Sequence, residues 1–95
     1  MNAEARFLSA GAQGYFLTMS RHFAHKIPVT EEDGFARFEF SCGLAELRVS
    51  EGALLMHVTA ETPEQLAETC DVVERHLLRF AFREAPAPLD WQVRP

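Results

Sequence analysis

Three histidines stand in stretches with helical periodicity, where their spacing could bring imidazole groups together. His22 and His25 are three residues apart, and His76 borders a second apolar repeat much later in the chain. If the two helices pack side by side, His22 and His76 can meet near the helix ends. Imidazole nitrogens bind iron, zinc, copper and nickel. These residues are therefore candidate ligands of a transition metal, with Cys42 or Glu84 as candidate additional ligands.

The same histidines also have a structural interpretation. His22 and His76 lie at the edges of apolar stripes, where a hydrogen bond to the backbone or to a carboxylate would satisfy them. His25 would then cap the end of the first helix. A third interpretation gives His22 or His76 the role of a general base. The spacing of these residues leaves the three interpretations open.

A group of basic residues forms the second candidate site. It consists of Arg21 and Lys26 near the end of the first helix, and Arg75, Arg79 and Arg83 on the second. If the helix ends are neighbours, these cations line one edge of an otherwise acidic protein and could bind a small anion such as phosphate, a carboxylate or, as an iron-related ligand, an acidic siderophore. The alternative is that they complement the helix dipoles and form pairs such as Asp71 with Arg75.

Motifs that would indicate an enzyme are absent from the sequence, which contains no nucleophile elbow, phosphate-binding loop or HExxH pattern. Ser20 lies two residues before His22 and therefore on another side of the helix, which argues against a Ser–His pair. Cys42 and Cys70 match no zinc spacing, and we expect reduced, packed thiols. The sequence favours a binding function over catalysis.

Two helices are predicted to position these groups. The first ends near Lys26, because Pro28 disfavours helical geometry in the residue before it. Its apolar stripe contains Tyr15, Phe16, Met19 and Phe23. The second begins with Thr62 as N-cap, Pro63 in the first helical position and Gln65 able to complete a capping box. Its stripe contains Leu66, Cys70, Val73, Leu77 and Phe80.

Alternating apolar residues predict the strands. They cover residues 3–9, 36–40, 45–49, 54–60 and 89–93, whereas residues 28–34 are expected to form a loop. Short connections with glycine, at residues 41–43 and 50–52, are typical of hairpin turns. The prediction is an α+β fold in two layers, with an antiparallel sheet and both helices on one face. The element order is β-α-β-β-β-α-β.

The opposite face of the predicted sheet carries two apolar side chains. Phe35 and Leu55 point to this face together with His57. An exposed apolar pair on a sheet is typical of an interface, so a homodimer formed through this face is the second predicted function. In that case the histidines and arginines on the helices are structural.

Composition limits the classes of partner. The chain has 95 residues, which suits a single domain, and a formal net charge of −5. Nucleic-acid binding through bulk charge is not expected, because phosphate contacts require a basic face. A membrane protein is not expected either, because no apolar stretch approaches the roughly 20 residues that a spanning helix needs. The N-terminus shows no secretory signal, so we expect a cytoplasmic protein.

Two motifs resemble the signatures of a known family. Residues 21–29 read RHFAHKIPV and residues 76–84 read HLLRFAFRE, and both resemble conserved motifs of the domain-of-unknown-function 2218 (DUF2218) family. The sequence LDW at residues 89–91 resembles that family's final strand. Residues 11–14 are smaller and less charged than the family pattern. The resemblance implies a small bacterial protein of unknown activity, with a genomic context that hints at iron uptake.

Overall fold

Six antiparallel strands and two helices make up the fold. The computed structural model describes residues 1–95, with β1 at Asn2–Leu8, α1 at Ala12–Ala24, β2 at Val29–Glu32, β3 at Phe35–Glu39, β4 at Leu44–Ser50, β5 at Ala53–Thr59, α2 at Pro63–Phe80 and β6 at Gln92–Arg94. The strands form one sheet in the order β2-β3-β4-β5-β1-β6. Both helices pack on the same face of this sheet. The predicted α+β class and two-layer architecture are confirmed.

The core lies between the helices and one face of the sheet. Helix α1 contributes Phe16, Met19 and Phe23, and α2 contributes Val73 and Leu77. The sheet contributes the inward-facing residues of each alternating strand, among them Phe38, Leu47, Leu54, Met56 and Val58. Apolar residues at alternate positions all reach the core because successive side chains of a strand point to opposite faces of the sheet. One face is therefore buried under the helices and the other remains open.

The structure has one strand more than the sequence predicts. Residues 29–32, which were expected to belong to a loop, form the edge strand β2 and pair with β3. The turn between them uses positive φ angles of 27° at Asp33 and 78° at Gly34, the backbone geometry favoured in tight hairpins. Strand β2 carries little apolar pattern because its side chains are largely exposed. Backbone hydrogen bonds to β3, rather than side-chain burial, hold it in the sheet.

The C-terminal strand also differs from its predicted range. Strand β6 is confined to Gln92–Arg94, where it pairs with β1. The preceding residues pack against α2 instead. The backbone N–H of Leu89 donates to Oε2 of Glu74 at 3.2 Å, and Nε1 of Trp91 donates to Oε1 at 2.8 Å. Glu74 thereby attaches the C-terminal segment to the helix layer, and this contact takes the place of the predicted strand at residues 89–91.

The helix boundaries follow the predicted chemistry closely. Thr62 caps α2, since its Oγ1 accepts a hydrogen bond of 3.1 Å from the backbone N–H of Gln65. Helix α1 begins at Ala12 and ends at Ala24, a little before the predicted end at Lys26. Helix α2 ends at Phe80, so Arg83 lies in the short 3-10 turn Phe82–Glu84 and not on α2. Neither helix has the length and apolar character required to cross a membrane.

Candidate functional site

The C-terminal halves of α1 and α2 lie side by side, and this arrangement brings two histidines together. The ring centroids of His22 and His76 are 5.0 Å apart. Aromatic rings surround the pair, with Phe80 at 5.5 Å from His22 and Phe23 at 4.8 Å from His76. The expectation that His22 and His76 can meet in space is confirmed. The contact follows from the position of each histidine at the edge of its helix's buried stripe.

The two imidazoles differ in their hydrogen bonds. Nδ1 of His76 lies 2.7 Å from the carbonyl oxygen of Val72, one helical turn earlier. A carbonyl only accepts, so Nδ1 carries the proton and donates, and Nε2 remains available to a ligand. Nε2 of His22 is buried and has no hydrogen-bond partner. Buried polar atoms are usually paired, and Nε2 of His22 is one of two exceptions, with Oγ of Ser20.

The surroundings of His22 favour its neutral form. Burial is the largest cause that lowers the pKa of His22, followed by the positive charges of His76, Lys26, Arg79 and His25. Burial disfavours a charged imidazole, and nearby cations repel it. At neutral pH His22 is therefore an uncharged imidazole in a positive electrostatic environment.

The predicted metal ligands do not assemble into one site. His25 is exposed at the end of α1, Cys42 accepts a hydrogen bond from Thr69, and Glu84 binds a different part of the chain. No group of three or more His, Cys, Asp or Glu side chains is arranged to hold a metal ion. His25 stands apart because α1 ends at Ala24, so that His25 is the C-cap residue and its side chain is exposed.

Arginines of α2 surround the His76 ring. A cavity of about 220 Å³ is lined by Arg75, His76 and Arg79 alone. Arg75 pairs with Asp71 one turn earlier, as the spacing predicts. Arg79 has no ion-pair partner. Two of the predicted anion-binding residues therefore line a common cavity with His76.

The remaining predicted anion-binding residues lie outside that cavity. Arg21 and Lys26 are exposed near the end of α1, and the charge of Lys26 reaches His22 electrostatically. Arg83 stacks over the exposed ring of Phe82 at 5.7 Å in the turn after α2. The placement of Arg83 differs from prediction because α2 stops at Phe80, which ends the helical spacing.

A polar cluster around Glu84 was not visible in the sequence. Oε2 of Glu84 accepts a hydrogen bond of 2.8 Å from the Ser9 hydroxyl and another from the Tyr15 hydroxyl. The hydrogen bond to Glu84 also raises the pKa of Tyr15. These contacts join the turn after α2 to the turn before α1 and to the first turn of α1. No local pattern indicates them, because the partners are far apart in the chain.

Comparison with known proteins adds evidence on the fold and the family. The NMR structure of PA4090 from Pseudomonas aeruginosa matches with a TM-score of 0.77 and 22% identity, covering 96% of this chain and 94% of that one. This likeness supports the fold. Comparison with functionally curated proteins finds no match. The model of the family described as "Uncharacterized protein conserved in bacteria (DUF2218)" matches residues 4–92. The chain belongs to the DUF2218 family.

Proposed function

We propose that the chain binds a small oxyanion, such as phosphate or a carboxylate, at the contact between α1 and α2. We call this site the His–Arg pocket and define it by His22, Arg75, His76 and Arg79. The observation that carries the proposal is the cavity lined by Arg75, His76 and Arg79, of which Arg79 has no ion-pair partner. No carboxylate lines it. The unpartnered Nε2 of His22 lies beside the same imidazole.

Each group has a distinct role in this proposal. Arg79 has no competing ion pair and is the principal charge-assisted donor. His76 is held in place by Val72, so its Nε2 can donate to an anion when the ring is protonated. His22 gains a partner for its buried Nε2. Lys26 adds attraction from α1, reduced by its exposure to solvent.

A transition metal remains the competing ligand. Neutral His22 and the Nδ1 contact of His76 with a backbone carbonyl resemble the arrangement of metal-bound imidazoles. Against a bare metal ion stand the absence of a third ligand and the repulsion of Arg75, Arg79 and Lys26. An anion, or an iron complex whose net charge is negative, fits these surroundings better. We therefore place the predicted iron-related ligand among the anionic candidates.

The test is an NMR titration of the ¹⁵N-labelled, untagged protein with phosphate and, separately, with citrate. We expect saturable shifts at residues 75–79 and at His22, with a dissociation constant below about 1 mM. Replacing Arg79 by Gln removes a charge-assisted hydrogen bond and should weaken binding about tenfold. The Arg94→Gln variant is the matched control, because Arg94 lies on β6 and pairs with Glu4.

The same samples distinguish anion binding, metal binding and a purely structural role of the arginines. Zinc, copper or iron that binds one per chain, and is lost in the His22→Gln variant, would favour the metal over the anion. Absence of any saturable response to anions and metals would mean that the arginines only complement the helix dipoles. Equal phosphate affinity in the Arg79→Gln and Arg94→Gln variants would also contradict the proposal.

A further inference from the structure

Two neighbouring rows of side chains lie in the middle of the face of the sheet that points away from the helices. The first row crosses β3, β4, β5 and β1 as Phe35, Arg48, Leu55 and Arg6. The second row crosses the same strands as Arg37, Glu46, His57 and Glu4. The first row therefore has two arginines on either side of a leucine. The second has two carboxylates on either side of a histidine.

The charges of the two rows are only partly balanced within one chain. Glu46 pairs with Arg37 at 3.0 Å and lies 3.5 Å from the ring of His57. Arg48 stacks on the Phe35 ring at 4.8 Å but has no acidic partner. Arg6 has none either, whereas Glu4 already pairs with Arg94 of β6 at 3.2 Å. A protein of net charge −5 thus keeps two arginines without carboxylates beside a half-buried apolar pair, Phe35 and Leu55.

We propose that this open face is the contact surface of a two-fold symmetric homodimer in which the first row of each copy lies on the second row of the other. A two-fold axis parallel to the rows and midway between them produces this arrangement. Arg6 of each copy then faces Glu4 of the other, and Arg48 faces Glu46. Every such contact occurs twice, as an isologous interface requires.

The alignment of charges and the packing angle of stacked sheets both favour a second copy of this chain on the open face. Sheets that pack face to face keep their strands within about 30° of each other, so the matching rows remain in contact near the centre. In this arrangement Leu55 of each copy lies over His57 of the other, and Phe35 lies over Arg37. A two-fold axis parallel to the strands would instead place Arg48 over Leu55 without a carboxylate. The arrangement along the rows is the one that gives both arginines an acidic partner.

The experiment is a charge exchange across the interface, followed by analytical ultracentrifugation. In the Arg6→Glu variant two carboxylates face each other at both symmetry-related contacts, and in the Glu4→Arg variant two guanidinium groups do. We expect each variant alone to sediment mainly as a monomer, with a dimer dissociation constant at least about tenfold higher than that of the wild type. An equimolar mixture restores opposite charges at every contact and should sediment as a heterodimer.

The control is Glu68→Arg, which changes the same charge on the exposed surface of α2 and should leave dimerisation intact. Circular dichroism checks that every variant is folded. A wild-type protein that stays monomeric at millimolar concentration would overturn the proposal. So would a dimer that survives both charge reversals, or one that mixing does not restore, because either result places the contact elsewhere. Binding of phosphate to the His–Arg pocket is measured separately and does not affect these outcomes.

Discussion

Among individual residues, His22 combines burial with a positive environment and should make stability depend on pH. Its folded pKa is lowered, mainly by burial, so the unfolded chain binds the proton more tightly. The free energy of unfolding therefore rises with pH up to about 6.5, the unfolded value, and falls as pH decreases from there through the folded pKa.

Urea unfolding at about pH 5 and pH 7.5 measures this effect. The His22→Gln variant should lose part of the stability difference between the two pH values, because the titrating ring is gone. The His25→Gln variant removes an exposed imidazole from the same helix end and should keep most of the wild-type difference, because the charge of His25 is the smallest cause of the lowered pKa of His22. An unchanged difference in the His22→Gln variant would contradict the assignment.

The two cysteines occupy different environments, and their reactivity should differ accordingly. Burial, together with the negative charge of Glu74, raises the pKa of Cys70 to about 11. Thiolates are the reactive form, so Cys70 should react slowly with a thiol reagent in the folded protein. Cys42 is half-exposed and should react first. We expect one fast thiol in native conditions, two after denaturation, and no fast thiol in the Cys42→Ser variant. A fast reaction that persists in Cys42→Ser would contradict this prediction.

Between elements, the β3–β4 turn lies close to both α2 and β5 at Gly43. A Cβ atom placed on Gly43 would lie 2.6 Å from Oγ1 of Thr69 and 2.8 Å from the backbone oxygen of Thr59. Neither neighbour can retreat easily, because Thr69 is fully buried and the oxygen belongs to β5. The turn therefore requires glycine at this position for reasons of space.

Two glycine substitutions test this account by thermal unfolding. Gly43→Ala should lower the free energy of unfolding by about 1–3 kcal/mol, because the turn and α2 must move apart. Gly14→Ala is the matched control, since Gly14 lies within α1 and nothing stands within 4 Å of an added Cβ. It should raise stability by about 0.5–1 kcal/mol through helix propensity. Similar effects at both positions would show that space around Gly43 is not limiting.

Across the whole molecule, two glutamates join parts of the chain that are distant in sequence. Glu84 accepts hydrogen bonds from Ser9, before α1, and from Tyr15, in the first turn of α1. Glu74 accepts hydrogen bonds from Leu89 and Trp91 of the C-terminal segment. The contact of Glu74 connects the helix layer to β6, the edge strand that pairs with β1. Loss of Glu74 should therefore loosen residues 89–94 while the core stays folded.

Tryptophan fluorescence gives a direct readout, because the chain contains a single Trp. In the Glu74→Ala variant we expect a red shift of Trp91 emission and faster amide exchange at residues 89–94. The stability loss should be about 1–3 kcal/mol, the usual range when hydrogen bonds to a charged group are removed. Glu68→Ala, an exposed substitution on the same helix, should leave the emission unchanged. An unshifted spectrum in Glu74→Ala would show that other contacts hold the segment.

The amino-acid pattern is sufficient to predict the two helices, the four strands with apolar alternation, the cap at Thr62 and the family resemblance. These features are recorded in contiguous residues, as periodicity, turn chemistry or motif. It also placed His22 and His76 at the edges of their buried stripes, which made their contact a reasonable expectation.

The insertion of β1 between β5 and β6, the strand β2, and the contacts of Glu74 and Glu84 are visible only in the folded chain. The tertiary structure also decided that His25 and Arg83 stand apart from the His–Arg pocket, and that charges align in rows across the open face. These features depend on pairings between distant segments. The free energy of such pairings comes from backbone hydrogen bonds and packing that leave little trace in any local stretch of sequence.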